Sequence, residues 1–375
     1  MAATKKIVMF SPYLSKNAIP YVEEIMKSRW IGQGQKVNDF ENLFKSMFKV
    51  PFAVAVNNVS SAIKIALDII VVNPGDEVIT TPQTCTWTNH PILEQYAKPV
   101  FADIQYETGN IDPKDIEKRI TKKTKAIIVA HWAGYPADMD EINKISKKHN
   151  IPVIADASDA LGAKYKNKPI GTLSDFTCFS FQAVKQVTAG EGGILAVSDK
   201  KDFESAIRRR WYGIDRINRK PTIEGYYDFD VHERGYGYHM TNINAAIGIA
   251  NLEEYKDISK RRQEIAKKYK EAFQKIANIT LFESKNNRES ANELFTMHVK
   301  NRSNFCKKMA SKGIETSIVH MRNNAYSIFG GLRKDLPNLD RFSKNNISIP
   351  LHNNLSDNDV DYIINTIKSG WQVVK

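Results

Sequence analysis

The residues best suited to chemistry lie between Asp175 and Gly193. Phe176 to Phe181 is a short apolar run that reads as a buried strand. Gly190-Glu191-Gly192-Gly193 cannot be a helix interior. Lys185 stands between them. In a chain with 54 Lys and Arg, a lysine at such a point is ordinarily a surface residue. A lysine partly withdrawn from water can instead form a Schiff base with an aldehyde. Upstream, Ile151 to Asp156 reads as a second buried strand that ends on a carboxylate. Ligands of parallel α/β sheets gather at the carboxyl ends of strands, so Asp156 and Lys185 are expected at one edge. An amine for an aldehyde and an acid for a pyridine nitrogen are what a pyridoxal phosphate (PLP) site requires. The Ser180 hydroxyl, at the end of its strand, suits a phosphate oxygen.

The elements that must position these groups alternate between strand and helix. Short strands are predicted at Ala53–Val56, Glu77–Thr80, Lys98–Asp103, Lys125–His131 and Gly193–Val197. Helices are predicted at Asn17–Arg29, Val37–Phe48, Ser60–Val71, Asn89–Gln95, Met139–His149 and Lys201–Trp211. In the first helix Ile19, Val22 and Met26 share a face. The turn Asn57-Asn-Val-Ser60 feeds backbone amides into a helix N-terminus, a place for an anion or simply a capped helix start. The pattern predicts an α/β fold with a mainly parallel sheet and helices on both faces. Gly213–Glu233 reads as a long loop, functional or mobile. Thr241–Ile276 is two helices or one bent one. Beyond it lies a smaller α+β part, with strands Glu293–Val299 and Ile347–Pro350 and helices Ser303–Lys312 and Ser356–Ser369. Ser356-Asp-Asn-Asp359 fits a capping box. The expected division is 1–250 and 251–375.

Composition is that of an ordinary globular protein, 42% hydrophobic and 26% charged. No apolar run has membrane-spanning length, and the apolar part of Met1–Phe10 is too short for a secretory signal. Three scattered cysteines fit a reducing cytosol. No Cys/His cluster has metal-ligand spacing. The net charge of +12 comes from lysines interspersed with acids, so it points to no nucleic-acid or membrane partner, and some positive field would help capture a diphosphate.

Five motifs occur in order: Val56-Asn-Asn-Val-Ser-Ser61, His131-Trp-Ala-Gly-Tyr-Pro-Ala-Asp138, Asp156-Ala-Ser-Asp159-Ala-Leu-Gly, Phe179-Ser-Phe-Gln-Ala-Val-Lys185 with its glycine turn, and Gly235 to Gly248. From about Trp30 to about Leu351 the chain resembles the DegT/DnrJ/StrS sugar-nucleotide aminotransferases, which are fold-type I PLP enzymes. The resemblance implies that Lys185 binds the cofactor and moves protons, and that Asp156 faces the pyridine nitrogen. It implies phosphate contacts from the Val59 and Ser60 amides and from the Ser60 and Ser180 hydroxyls. It places Asp159 near the ring hydroxyl, where the family usually has glutamine or histidine. It puts the Trp30 loop near the active site and makes His239 and His320 candidate substrate contacts. An aromatic that stacks on the ring falls nearer Thr86 than Trp87, whose expected role is core packing. Gly237 replaces an asparagine that normally reaches the neighbouring subunit's cofactor, and His239 replaces an arginine. The implied enzyme is a cytoplasmic homodimer that aminates a nucleotide-linked keto-deoxysugar from glutamate. Dehydratase relatives carry histidine in place of Lys185, and a non-catalytic regulator would have lost Asp156 or Lys185.

Overall fold

The computed structural model describes residues 6–216 and 218–372; Met1 to Lys5, part of the segment weighed as a leader, lies outside them. Seven strands form the main sheet: β1 (Phe52–Val56), β2 (Glu77–Thr80), β3 (Lys98–Phe101), β4 (Thr124–Ala130), β5 (Val153–Asp156), β6 (Phe176–Ser180) and β7 (Gly193–Val197). Their order is β1-β7-β6-β5-β4-β2-β3. All pairs from β6 to β3 are parallel, while β7 runs antiparallel to both its neighbours. The strands are apolar almost throughout because both faces are covered. Side chains alternate between two cores: Val54, Ile128, Ile154 and Leu195 pack toward the Val59–Ile69 helix, and Ala55, Ile127, Phe179 and Ile194 toward the Gln35–Phe48 helix.

A second core surrounds an antiparallel sheet of Ile279–Leu281, Phe295–Val299 and Asn346–Ile349. Tyr269, Phe273, Phe305 and Ile363 fill it, and Ile7 joins from the other end of the chain. The capping box at Ser356–Asp359 is formed. The Thr241–Ile276 segment is two helices, Asn242–Glu253 and Tyr255–Phe273. The long loop contains a two-residue ladder, Lys220–Pro221 on Tyr227–Asp228, and a bridge between Ile214 and Val231.

Two expectations need correction. The Ala18–Ser28 helix buries Ala18 and Ile25, whereas Ile19 and Met26 are 77% and 56% exposed. Its apolar spacing therefore faces away from the chain's own core. The helix expected at Asn89–Gln95 starts a turn earlier and runs Thr86–Glu94 with Pro91 inside. Proline has no N–H for the carbonyl four residues back. That carbonyl, on Trp87, accepts instead from the Ser60 hydroxyl at 2.9 Å.

Candidate active site

The register of the main sheet assembles the site. Asp156 lies beside Ala130 on one flank and Cys178 on the other, so β4 and β5 end level and β6 runs on to Ser180. Gly193 pairs with both Ser180 and Val56. A Cβ on Gly193 would come within 2.7 Å of the Asn58 carbonyl and 2.9 Å of the Val59 nitrogen. Only a glycine lets β7 run this close to the start of the Val59–Ile69 helix. Asn58 caps that helix, accepting from the Ser61 N–H, and Val59 is its first residue with no positive φ. A side chain at position 59 therefore costs no backbone strain.

Lys185 rides on an excursion between Phe181 and Gly192. The Phe181 N–H bonds to the Gly192 carbonyl at 2.9 Å, and the Ala189 N–H to the Phe181 carbonyl at 2.8 Å. The helix of the Gly235 motif holds this loop from behind: the amides of Asn244 and Asn251 donate to the carbonyls of Ala189 and Thr188 at 2.8 and 2.7 Å.

Asp156, Asp159, Ser180, Lys185, Val59 and His320 open on one cavity of about 430 Å³. Asp156 is 5% exposed, and it accepts hydrogen bonds from the Thr88 hydroxyl and from both the amide and hydroxyl of Ser158. The Lys185 ammonium donates to Asp159 at 2.6 Å, with both side chains about 15% exposed. Burial alone would push the Lys185 amine down; Asp159, then Glu293 and Asp156, outweigh it and lift the amine above the usual lysine range. For Asp159 the order is the same: burial favours the neutral acid, and the ammonium overrides it and holds the carboxyl below its usual range. Burial lowers His320, with Lys185 adding to the effect and Asp159 opposing it. His131 also lines the cavity. Its Nδ1 accepts from the Ala137 N–H at 3.1 Å, so the proton of the neutral ring sits on Nε2, which is buried without a partner among the described residues. Burial holds the pKa of this ring down at about 3.

A recess lined by Val59, Ser60, Trp87, Ser180 and Gln182 continues the cavity toward the helix N-terminus. The amides of Val59 and Ser60 end there, where the helix dipole favours an anion. The Ser60 hydroxyl has one proton, and it is engaged by the Trp87 carbonyl, so amides rather than that hydroxyl are the ready donors. Trp87 is 54% exposed and lines both spaces, which corrects its expected place in the core. Trp30 and His239 lie outside the cavity. The Trp30 indole is 63% exposed and donates to the Gln33 carbonyl, and His239 packs on Trp211 with ring centres 3.8 Å apart.

These residues fit PLP: a carboxylate, an amine, a set of free helix amides and an orphaned imidazole N–H converge on one space. Thr88, Glu293 and Arg262 gave no readable sequence signal, and His131 stood only as the start of a motif, with no role of its own. Thr88 sits on the helix whose start Pro91 disguised, and Glu293 lies 107 residues from its partner Gln186.

Residues 12–368 match the DegT/DnrJ/EryC1/StrS aminotransferase family. The chain is 35% identical to the spore coat polysaccharide biosynthesis protein SpsC of Bacillus subtilis, covering 95% of each. It is 33% identical to GDP-perosamine synthase of Escherichia coli O157:H7, over 97% of this chain and 98% of that one. Among solved structures, the sugar aminotransferase CalS13 of Micromonospora echinospora superimposes with a TM-score of 0.92 at 32% identity, over 97% of this chain and all of that one. Solved relatives include PLP and PMP forms. The chain belongs to the DegT/DnrJ/EryC1/StrS family of PLP-dependent aminotransferases.

Proposed function

We propose that the protein transfers an amino group from L-glutamate to a nucleotide-linked keto-deoxysugar, in the biosynthesis of a glycan. One observation carries the reading: in a member of this aminotransferase family, Asp156 and Lys185 open on the same cavity, next to a recess edged by helix amides. PLP supplies an electron sink for the amine transfer. Lys185 would hold the cofactor aldehyde and, once displaced from it, its Nζ would take up and return the proton that moves in each half of the transfer. Asp156 keeps the pyridine nitrogen protonated, and Thr88 and Ser158 hold its carboxylate in place. The Val59 and Ser60 amides and the Ser180 hydroxyl receive the phosphate. Asp159 lies beside the lysine, and His320 faces the substrate side.

The same reading takes residues 1–250 as the cofactor-binding domain and 251–375 as a smaller domain. It makes the active unit a cytoplasmic homodimer. Support for the dimer comes from apolar side chains that the single chain leaves in solvent: Ile19, Met26, Trp30 and Ile31, together with Ile223 and Phe229 of the long loop. Trp30 and His239, which lie outside the chain's own cavity, then act at the subunit boundary. Among the described residues no helix is long and apolar enough to cross a membrane.

The test is incubation of the purified protein with PLP, glutamate and a panel of nucleotide-linked keto-sugars, with products weighed by mass spectrometry. The expected result is one amino sugar formed per 2-oxoglutarate released. Loss of water from the sugar without amination, or no conversion across the panel, contradicts the reading.

A further inference from the structure

Four charged groups crowd around the amine of Lys185. Asp159 accepts from it directly at 2.6 Å. Glu293, 4% exposed, lies behind: its carboxylate accepts from the Gln186 N–H at 3.3 Å, next to Lys185 in sequence, and stands 3.3 Å from the guanidinium of Arg262. Arg262 is 4% exposed and also donates to the Asn292 and Glu293 carbonyls, at 3.2 and 2.8 Å. Asp156 lines the same cavity as Lys185. His320 and Cys85 are the other titratable groups in reach, both made harder to ionise by burial. Gly134 permits the crowding. At φ +87° a Cβ there would meet the Asp159 carbonyl oxygen at 2.6 Å and the Glu293 nitrogen at 3.1 Å.

The proposed function pairs Asp156 with a pyridinium, which leaves two acids, Asp159 and Glu293, against two cations, Lys185 and Arg262. Burial raises the Glu293 carboxyl, with Arg262 and Lys185 opposing it; with both acids ionised, the set is neutral only while the Lys185 nitrogen carries its positive charge. Removing that charge leaves a carboxylate almost out of water with no counter-ion, an arrangement proteins avoid. A glutamine or histidine at position 159 would impose no such demand. We propose that Asp159, backed by the Glu293–Arg262 pair, is a positioning residue that keeps a proton on the Lys185 nitrogen, both as the free amine and when bound to the cofactor aldehyde. The second half rests on Lys185 being the Schiff-base lysine.

Two titrations test this, on the full chain before and after loading with PLP. In the unloaded protein, competitive labelling with trace acetic anhydride across the alkaline range gives the pH at which Lys185 becomes nucleophilic. In the loaded protein, the long-wavelength band of the protonated Schiff base gives the pH at which that nitrogen loses its proton. Asp159→Asn is expected to lower both midpoints by about one to three units, the usual effect of an opposite charge at contact. Glu293→Gln leaves Arg262 uncompensated and is expected to move both the same way by less; it decides the matter if Asp159→Asn does not fold. Unchanged midpoints in the folded variants overturn the proposal. A labelling midpoint that falls while wild type forms no band with PLP would sink the cofactor reading, yet confirm that Asp159 holds the proton on the amine.

Discussion

The two sheets of this protein are alike in their interiors and opposite at their edges. The small sheet packs Tyr269, Phe273, Phe305 and Trp371 around apolar strands, and its buried hydroxyls, Thr296 and Ser348, bond to each other at 2.7 Å. The main sheet has an equally apolar body, but the carboxyl end of β4, β5 and β6 gathers Asp156, Asp159, Lys185, His131 and Glu293. Every one of these costs desolvation, and each is held by a neighbour chosen for it or left open toward the cavity. The difference teaches where the same kind of substitution will be felt. Changes in the small core should alter stability without altering chemistry, and changes at the main-sheet edge should do the reverse.

The sharpest contrast is expected from Asp156→Asn. The amide keeps the shape and can still accept from Ser158, but it cannot hold a pyridinium. Amination should fall by about 10²-fold to 10⁴-fold while the unfolding midpoint barely moves. Near-normal turnover in steady-state assays would mean that the pyridine partner is misassigned. Phe305→Ala is the counterpart in the small core. The ring is fully buried, and its loss should cost about 3–5 kcal/mol in urea unfolding, with turnover per folded molecule unchanged. A large drop in turnover of the folded fraction would break the separation.

His131 gives an intermediate effect with a sign. Its folded-state pKa of about 3 lies below the ordinary 6.5, so the unfolded chain binds the extra proton. Its contribution to stability is complete above about 6.5 and is lost as pH falls toward about 3. His131→Asn should flatten the fall of unfolding free energy in that window, read from urea titrations at several pH values. An equal slope in both proteins would assign the acid loss elsewhere. The smallest effect belongs to Ser356→Ala. Loss of the hydroxyl that accepts from the Asp359 N–H at 3.1 Å should cost about 1 kcal/mol and leave turnover intact.

The body of the fold was legible where local pattern decides structure. Val153–Asp156 and Phe176–Ser180 are unbroken apolar runs, and their order along the chain implies a parallel sheet. Lys185 and Asp156 were legible because each follows such a run. The first turn of the helix around Pro91 was not, since the carbonyl the proline leaves unpaired is satisfied by Ser60, 27 residues away. The face of the first helix was misread for a related reason: Ile19 and Met26 share a stripe, but nothing in periodicity says whether a stripe meets the chain's own core. The Glu293–Arg262 pair depends on contacts between distant segments, and no spacing announces it.

The central claim is that Lys185 forms the covalent link to the cofactor. The direct measurement is the visible absorption spectrum of the purified protein mixed with PLP, alongside Lys185→Ala. Wild type should develop a long-wavelength Schiff-base band that the variant lacks. A spectrum of free PLP in wild type, or the same band in both proteins, would contradict the account.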